Sequence, residues 1–157
     1  MNERGLGTGA IVGIVVAIVA VAILVPVSFI FLTGGGALAS VPIYPGAQAA
    51  ENSDAEVRQA ITSYGLPSTW SGKAYTTSVS PSTMADWYKS NMTGWTKVSD
   101  NVVPITSGEI TTTLYLLVYT KGNDAAVVES FDYSGLHILF LLAGPNSSGG
   151  TTGATTT

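Results

Sequence analysis

The sequence has no cysteine, a single histidine and few basic residues, and each of these shortages removes a class of chemistry. Without cysteine the chain cannot form disulfides, thiolate nucleophiles or cysteine metal sites, so the folded domain must be stabilised by its core. Ten acidic residues against six basic ones give a net charge of −4. Because nucleic acids bind to basic patches and the sequence has none, we expect no nucleic-acid partner.

Residues that could carry out catalysis do not cluster along the sequence. The histidine, His137, lies between Leu136 and Ile138 in an apolar run, which favours a core or strand-face position over a catalytic or metal-binding one. No phosphate-binding loop, dinucleotide fingerprint or G-x-S-x-G elbow is present. The sequence therefore predicts a protein that is not an enzyme and that uses no cofactor and no metal.

An uncharged run of 23 residues, 10–32 (AIVGIVVAIVAVAILVPVSFIFL), lies close to the N-terminus. As a helix it would be about 35 Å long, enough to cross a hydrocarbon core of about 30 Å. It is also longer than the apolar region of an ordinary secretion signal, which has about 7–15 residues. The run predicts a transmembrane helix in which Pro26 marks a kink.

Small residues recur at every fourth position from Gly5, just before this run, to Ala17 within it. In a helix, Gly5, Gly9, Gly13 and Ala17 would form one slanted row, and such rows let helices approach closely and associate. Glycine and alanine are also common in membrane helices that do not associate. The row is compatible with self-assembly but does not require it.

The N-terminal sequence ERGLGTGAIVGIVVAIVAVAILVP resembles the class III signal peptide and N-terminal helix of type IV pilins, the archaeal members in particular. Arg4 and Gly5 match the end of the short leader, Leu6 would be the mature N-terminus, and Pro26 matches the kink. The resemblance implies that a prepilin-type peptidase cuts after Gly5. It further implies that the helix over 6–33 packs in the core of a filament, with the remaining domain outside.

The remainder of the chain predicts a small α+β domain. Helices are expected over 52–65, with Ser53 and Glu56 as a capping box, and over 80–92, with Ser80 as the N-cap. Strands are expected over 73–79, 95–100, 109–120, 125–133 and 136–144. The last of these is nearly continuously apolar, so it should lie centrally with both faces covered. We expect one or two helices on an antiparallel sheet of four or five strands.

The predicted organisation places the domain outside the cell. The only basic residue flanking the apolar run is Arg4, on its N-terminal side, which favours an N-terminus inside. Two sequons, at Asn91 and Asn146, would then be exposed as possible glycosylation sites. The predicted regions are a leader (1–5), the transmembrane or filament-core helix (6–33), a Gly-rich linker (34–40), the extracellular α+β domain (41–145) and a disordered Gly/Thr/Ser tail (146–157).

Three functions are compatible with this organisation. The first is a structural subunit of a pilus-like filament at the cell surface, which polymerises with itself, contacts membrane lipid before assembly and has a possible role in adhesion. The second is a membrane-anchored extracellular domain, left uncut, that binds an unassigned ligand. The third is a secreted domain released by cleavage before Ser40, because Ala37-Leu38-Ala39 fits the A-x-A rule for signal peptidase.

Overall fold

A computed structural model describes residues 36–107, 109–133 and 135–146. The predicted helix over 6–33, and all of the predicted tail except Asn146, lie outside these residues. A 3-10 turn begins the described chain, and two helices and six strands follow. In chain order these elements are the turn Ala37–Ser40, β1 Gln48–Ala49, α1 Asp54–Ser63, β2 Ser71–Thr77, α2 Pro81–Asn91, β3 Thr96–Ser107, β4 Ile110–Lys121, β5 Asp124–Tyr133 and β6 Leu136–Pro145.

The six strands form one sheet in the order β1-β2-β6-β5-β4-β3, and every neighbouring pair is antiparallel. β6 lies between β2 and β5, and its residues 138–145 are all buried. The expectation that the continuously apolar last strand lies centrally is therefore confirmed. The strands β4 and β5 form the hairpin that the sequence predicted.

The predicted α+β class is wrong, because the described chain is mainly an antiparallel β-sheet. Its two helices have only 10 and 11 residues, whereas four of its strands have 10 to 12. Among the described residues, neither helix has the length and apolar composition needed to cross a membrane. The class was misjudged because β3 is twice as long as expected and β1 had no recognisable pattern.

Apolar side chains fill both faces of the sheet, and one helix packs on each face. On what we call the α1 face, Val57, Ala60 and Ile61 of α1 pack with alternate residues of the strands, among them Leu116, Val118, Phe140 and Leu142. On the α2 face, Met84, Ala85 and Tyr88 of α2 pack with the residues in between, among them Leu117, Tyr119, Leu139 and Leu141. Since both faces are covered, β5 and β6 are buried along nearly their whole length.

The two helices begin differently. Ser80 caps α2 as predicted, since its Oγ accepts a hydrogen bond from the backbone N–H of Thr83 at 3.3 Å, and Pro81 occupies the first turn. Ser53 precedes α1 but makes no such bond, because its hydroxyl donates to the carbonyl of Ala50 at 2.9 Å. The predicted capping box is therefore wrong.

The strand β3 is an edge strand of the sheet and runs well past its predicted end at residue 100. It contains Pro104, which an edge strand accommodates because one side of its backbone has no partner strand. β4 pairs with β5 only from Tyr115 onward, whereas it pairs with β3 along its whole length. The far half of the β3–β4 hairpin is thus a ribbon that extends beyond β5.

Candidate functional site

The residues to which the sequence assigns processing and assembly lie outside the described part of the chain. They are Arg4, Gly5 and Leu6 at the predicted cleavage point, Gly9, Gly13 and Ala17 in the small-residue row, and Pro26 at the predicted kink. Their roles stay predictions. The described chain begins at Gly36, four residues after the end of the apolar run in the sequence, so the first contacts of the domain after that point can be described.

Residues 37–44, which we call the strap, cross the α2 face directly after Gly36. Ala37 and Val41 are buried in the cluster on that face. The hydroxyl of Tyr88 donates to the carbonyl of Pro42 at 3.0 Å and accepts from the N–H of Tyr44 at 3.2 Å. Burial raises the pKa of Tyr88, so this phenol stays protonated and holds both bonds at physiological pH.

The indole of Trp95 fixes the strap a second time. Its Nε1–H donates to the carbonyl of Ser40 at 3.4 Å, and the Lys121 ammonium lies 5.8 Å above its ring. Trp95 immediately precedes β3, and Lys121 ends β4. The strap therefore lies at the end of the sheet where β4 turns into β5.

The two sequons differ in exposure. Asn91 is the last residue of α2 and is exposed, as is Thr93, although the side-chain amide of Asn91 donates to the carbonyl of Trp87 at 2.7 Å. Asn146 is half-buried, and its backbone N–H donates to the carbonyl of Asn123. Glycosylation of Asn91 requires that its side-chain amide give up the hydrogen bond to the carbonyl of Trp87. The hydrogen bond of Asn146 involves its backbone N–H, so it leaves the side chain free of that constraint.

His137 lies at the start of β6 and faces Asp132 on β5, its direct partner in the register. Its Nδ1 is hydrogen-bonded to a carboxylate oxygen of Asp132, and the two side chains are 32% and 54% exposed. The strand-face interpretation of this histidine is confirmed, whereas a core position is wrong. The carboxylate was missed because Asp132 lies on a different strand, and the register alone brings the two residues together.

A cleft with a volume of about 510 Å³ lies between α1 and the start of β2. Its lining combines polar side chains of α1, among them Asp54 and Arg58, with the side chain of Trp70 and with Ser71. The fit of Trp70 into the sheet is tight, because a Cβ added at Gly144 would lie 2.4 Å from its ring. The cleft thus has a fixed aromatic wall and a polar rim on the helix.

Two carboxyl groups are buried on the α1 side of the molecule. Glu129 on β5 is 2% exposed, accepts a hydrogen bond from the hydroxyl of Tyr64, and has its pKa raised to about 8 by burial. Glu56 in the first turn of α1 is 3% exposed, and its Oε2 has no hydrogen-bond partner among the described residues. Sequence reasoning missed both, because a helix-terminal glutamate and one within a strand pattern are normally exposed.

Within the described ranges, no three His, Cys, Asp or Glu side chains come close enough together to hold a metal ion. Three other features stand out among the described residues. They are the strap held by Tyr88 and Trp95, the cleft beside α1, and the His137–Asp132 pair at the surface. Comparison of the chain with protein-family models, with curated proteins and with solved structures found no match.

Proposed function

We propose that this chain is a structural subunit of an extracellular pilus-like filament, assembled through the apolar segment 10–32. One observation carries the proposal. A short leader ending in Arg4-Gly5 precedes an uncharged run, small residues recur at every fourth position from Gly5 to Ala17, and the described domain begins four residues after that run. Close packing of small residues between copies is a way for apolar segments to associate where water is excluded.

The strap supports cleavage after Gly5 over cleavage before Ser40. Ala37 is 3% exposed within the α2-face cluster, and Leu38 packs against that cluster. Cleavage before Ser40 would remove both side chains and the hydrogen bond from the N–H of Ala39 to the carbonyl of Gly36. Cleavage after Gly5 keeps the whole strap and leaves the apolar segment attached to the domain.

In this proposal the precursor is held in the membrane by lipid contacts of segment 10–32, with the sheet domain outside the cell. Copies of the chain are its partners after cleavage, and an adhesive role would belong to the exposed surface of the domain. Asn91 and Asn146 are the candidate glycan acceptors of that surface. The subunit carries out no catalysis, and its activity is polymerisation.

The N-terminal residue and the intact mass of the mature protein test the proposal directly. We expect Leu6 as the first residue, whereas Met1 or Ser40 on the surface-exposed protein would exclude the filament. A double substitution, Gly9→Leu with Gly13→Leu, should abolish filaments seen by electron microscopy, because bulky side chains separate the packed segments. The matched control is Val12→Leu with Val16→Leu, outside the small-residue row, and it should assemble normally.

A second candidate, a membrane-anchored domain that binds a ligand, is favoured by the cleft beside α1. The charged groups of Asp54 and Arg58 at the rim of the cleft could bind the hydroxyl groups of a sugar. A glycan array probed with the full chain and with Arg58→Ala tests this function. Binding that is lost in Arg58→Ala, together with an uncut Met1, would favour the anchored domain over the filament.

A further inference from the structure

Both ends of α1 are formed by residues with a left-handed backbone. Asn52, shortly before the helix, has a φ of 56°, and Gly65, shortly after it, has a φ of 66°. Glycine adopts this conformation without steric cost, and asparagine tolerates it better than most other residues. Residues at the ends of an element are also the ones that absorb the rotation when the element moves as a unit. α1 therefore has a turn suited to act as a hinge at each end.

α1 is fixed to the sheet by two kinds of contact. Its apolar side chains Val57, Ala60 and Ile61 belong to the core cluster of the α1 face, mainly over β2 and β6. Tyr64, at the C-terminal end of the helix, reaches one strand further, because its hydroxyl donates a hydrogen bond to the carboxyl group of Glu129 on β5. We call this pair the latch. It joins the end of the helix to the centre of the sheet.

The carboxyl group of Glu129 lies in an apolar environment. The residue is 2% exposed, and its register partners on β4 and β6 are both apolar. Besides Tyr64, the described titratable side chains on this face of the sheet and on the inward side of α1 are Tyr133 and Glu56. Neither of them carries a positive charge that could pair with a carboxylate. Burial accordingly raises the pKa of Glu129 to about 8.

Another side of α1 forms a wall of the cleft described above. Asp54, Arg58 and Thr62 line the cleft from the helix, whereas Ser68 and Ser71 line it from the loop before β2 and from the first residue of that strand. The cleft volume of about 510 Å³ is therefore bounded by the position of α1. A movement of the helix away from the sheet would widen the cleft.

We propose that α1 is a hinged flap beside the cleft, that the latch holds it closed, and that loss of the proton from Glu129 releases it. A carboxylate buried among apolar side chains with one hydrogen bond is costly, and water reaches it once α1 moves away. The burial of Val57, Ala60 and Ile61 favours the closed position at every pH. The device is therefore an equilibrium between a closed and an open α1, in which the strands stay in place.

Proton linkage fixes the direction of the response. In the closed state the carboxyl group of Glu129 has its pKa raised to about 8, and in the open state it has the ordinary value of 4.5. Between these two values the closed state holds one proton more, and this proton passes to water when α1 opens. The ratio of open to closed α1 should therefore rise about tenfold per pH unit from pH 4.5 toward pH 8, and should level off above that.

This device goes beyond both proposed functions, because neither a filament subunit nor a ligand-binding domain requires α1 to move. It concerns described residues of the domain and is independent of how the N-terminus is processed. In the proposed arrangement, with the domain outside the cell, access to the cleft would follow the external pH.

Hydrogen exchange of the full-length protein, measured by mass spectrometry between about pH 5 and about pH 9, tests the device. The rates are divided by the intrinsic exchange rate at each pH, and peptides of α2 serve as the internal reference because that helix packs on the opposite face. We expect protection in α1 to fall about tenfold per pH unit up to about pH 8, while α2 keeps its protection. Glu129→Gln, which stays neutral and can still accept the hydrogen bond from Tyr64, should remove this pH dependence.

A second variant keeps the test valid where Glu129→Gln lowers the yield. Tyr64→Phe removes the donor of the latch and should raise the open fraction of α1 about fivefold at about pH 5, as expected for the loss of one hydrogen bond. Tyr133→Phe, on the same face but outside the latch, is the matched control and should leave the protection of α1 unchanged.

Three results would overturn the proposal. They are a protection of α1 that does not depend on pH or changes equally in α2, a slope that persists in Glu129→Gln, and an open fraction that Tyr64→Phe leaves unchanged. The N-terminal residue is read separately, so a failure of the filament proposal is distinguishable from a failure of this device.

Discussion

The α2 face of the sheet is covered by α2 together with the strap, whereas on the opposite face α1 packs mainly on β2 and β6. The buried carboxyl groups also differ between the two sides, since Glu56 and Glu129 both belong to the α1 side. On the α2 face, the buried hydroxyl of Ser130 donates to the carbonyl of Pro81 at 2.9 Å. The comparison shows that the two faces are closed by different elements and that, among the described residues, buried carboxyl groups belong to one side only.

The largest expected effect comes from adjacent leucines on β4 that face opposite sides. Leu116→Ala and Leu117→Ala should each lower the free energy of unfolding of the full-length protein by about 2–5 kcal/mol, because both side chains are 1–2% exposed. Denaturant titration followed by tryptophan fluorescence measures both. A large loss for Leu117→Ala alone would mean that Leu116 does not contribute to a packed core on the α1 face.

The pH dependence of stability should come from the α1 face. Burial raises the pKa of Glu129 from 4.5 to about 8, so the folded state keeps a proton that the unfolded state loses. The contribution of Glu129 to the free energy of unfolding should therefore be largest below pH 4.5. It should fall as the pH rises toward 8. The expected slope is at most about 1.4 kcal/mol per pH unit.

Glu129→Gln should remove this slope and raise the stability near pH 8, since the amide oxygen can still accept the hydrogen bond from Tyr64. Thermal denaturation of both proteins between pH 4 and pH 9 provides the comparison. An unchanged slope in the variant would place the responsible group elsewhere. The Asp132 carboxylate, which is more than half exposed, serves as a control through Asp132→Asn, and this change should leave the slope in place.

A close approach on the α1 face offers a smaller effect. Gly144→Ala should cost about 1–3 kcal/mol, because the added Cβ would lie 2.4 Å from the ring of Trp70, which is buried in the core. In a Trp70→Leu background the same change should cost much less, and a double-mutant cycle measures the difference. Equal costs in both backgrounds would show that the ring is not the obstacle.

The smallest expected effects on stability come from the residues that precede the two helices, Ser53 before α1 and Ser80 before α2. Ser80→Ala should destabilise the protein by about 1 kcal/mol, because it removes the cap of α2. Ser53→Ala should cost less, since Ser53 does not cap α1 and loses only its bond to the carbonyl of Ala50. The same denaturant titration measures both variants. A larger loss of stability for Ser53→Ala than for Ser80→Ala would contradict this ranking.

Much of the α2 side could be predicted from local sequence, because its signals are local. Ser80 followed by Pro81 marks a helix start within two residues, and the apolar run at 136–144 marks a central strand. The α1 side depends on contacts between distant residues. Tyr64 and Glu129 are 65 residues apart in the chain, and only the strand order brings them together.

The candidate functional residues follow the same division. The leader, the small-residue row and the sequons are recognised from short patterns, and the roles assigned to them stay predictions. The position of Trp70 in the cleft depends on packing, and the His137–Asp132 pair depends on strand register. No spacing in the sequence predicts either of them. The strand predicted over 95–100 continues to Ser107 along the edge of the sheet, and no pattern in the sequence predicted that extension.

The strap has a mechanical consequence. Tension applied through the N-terminal segment reaches the domain at Gly36, and the next residues are held by Tyr88 and by Trp95. These two side chains belong to α2 and to the start of β3, so a pull is shared between a helix and the sheet before it loads β1. Tyr88 and Trp95 would therefore act as the first anchorage of a tethered domain, and the force at which they yield would set its resistance to extraction.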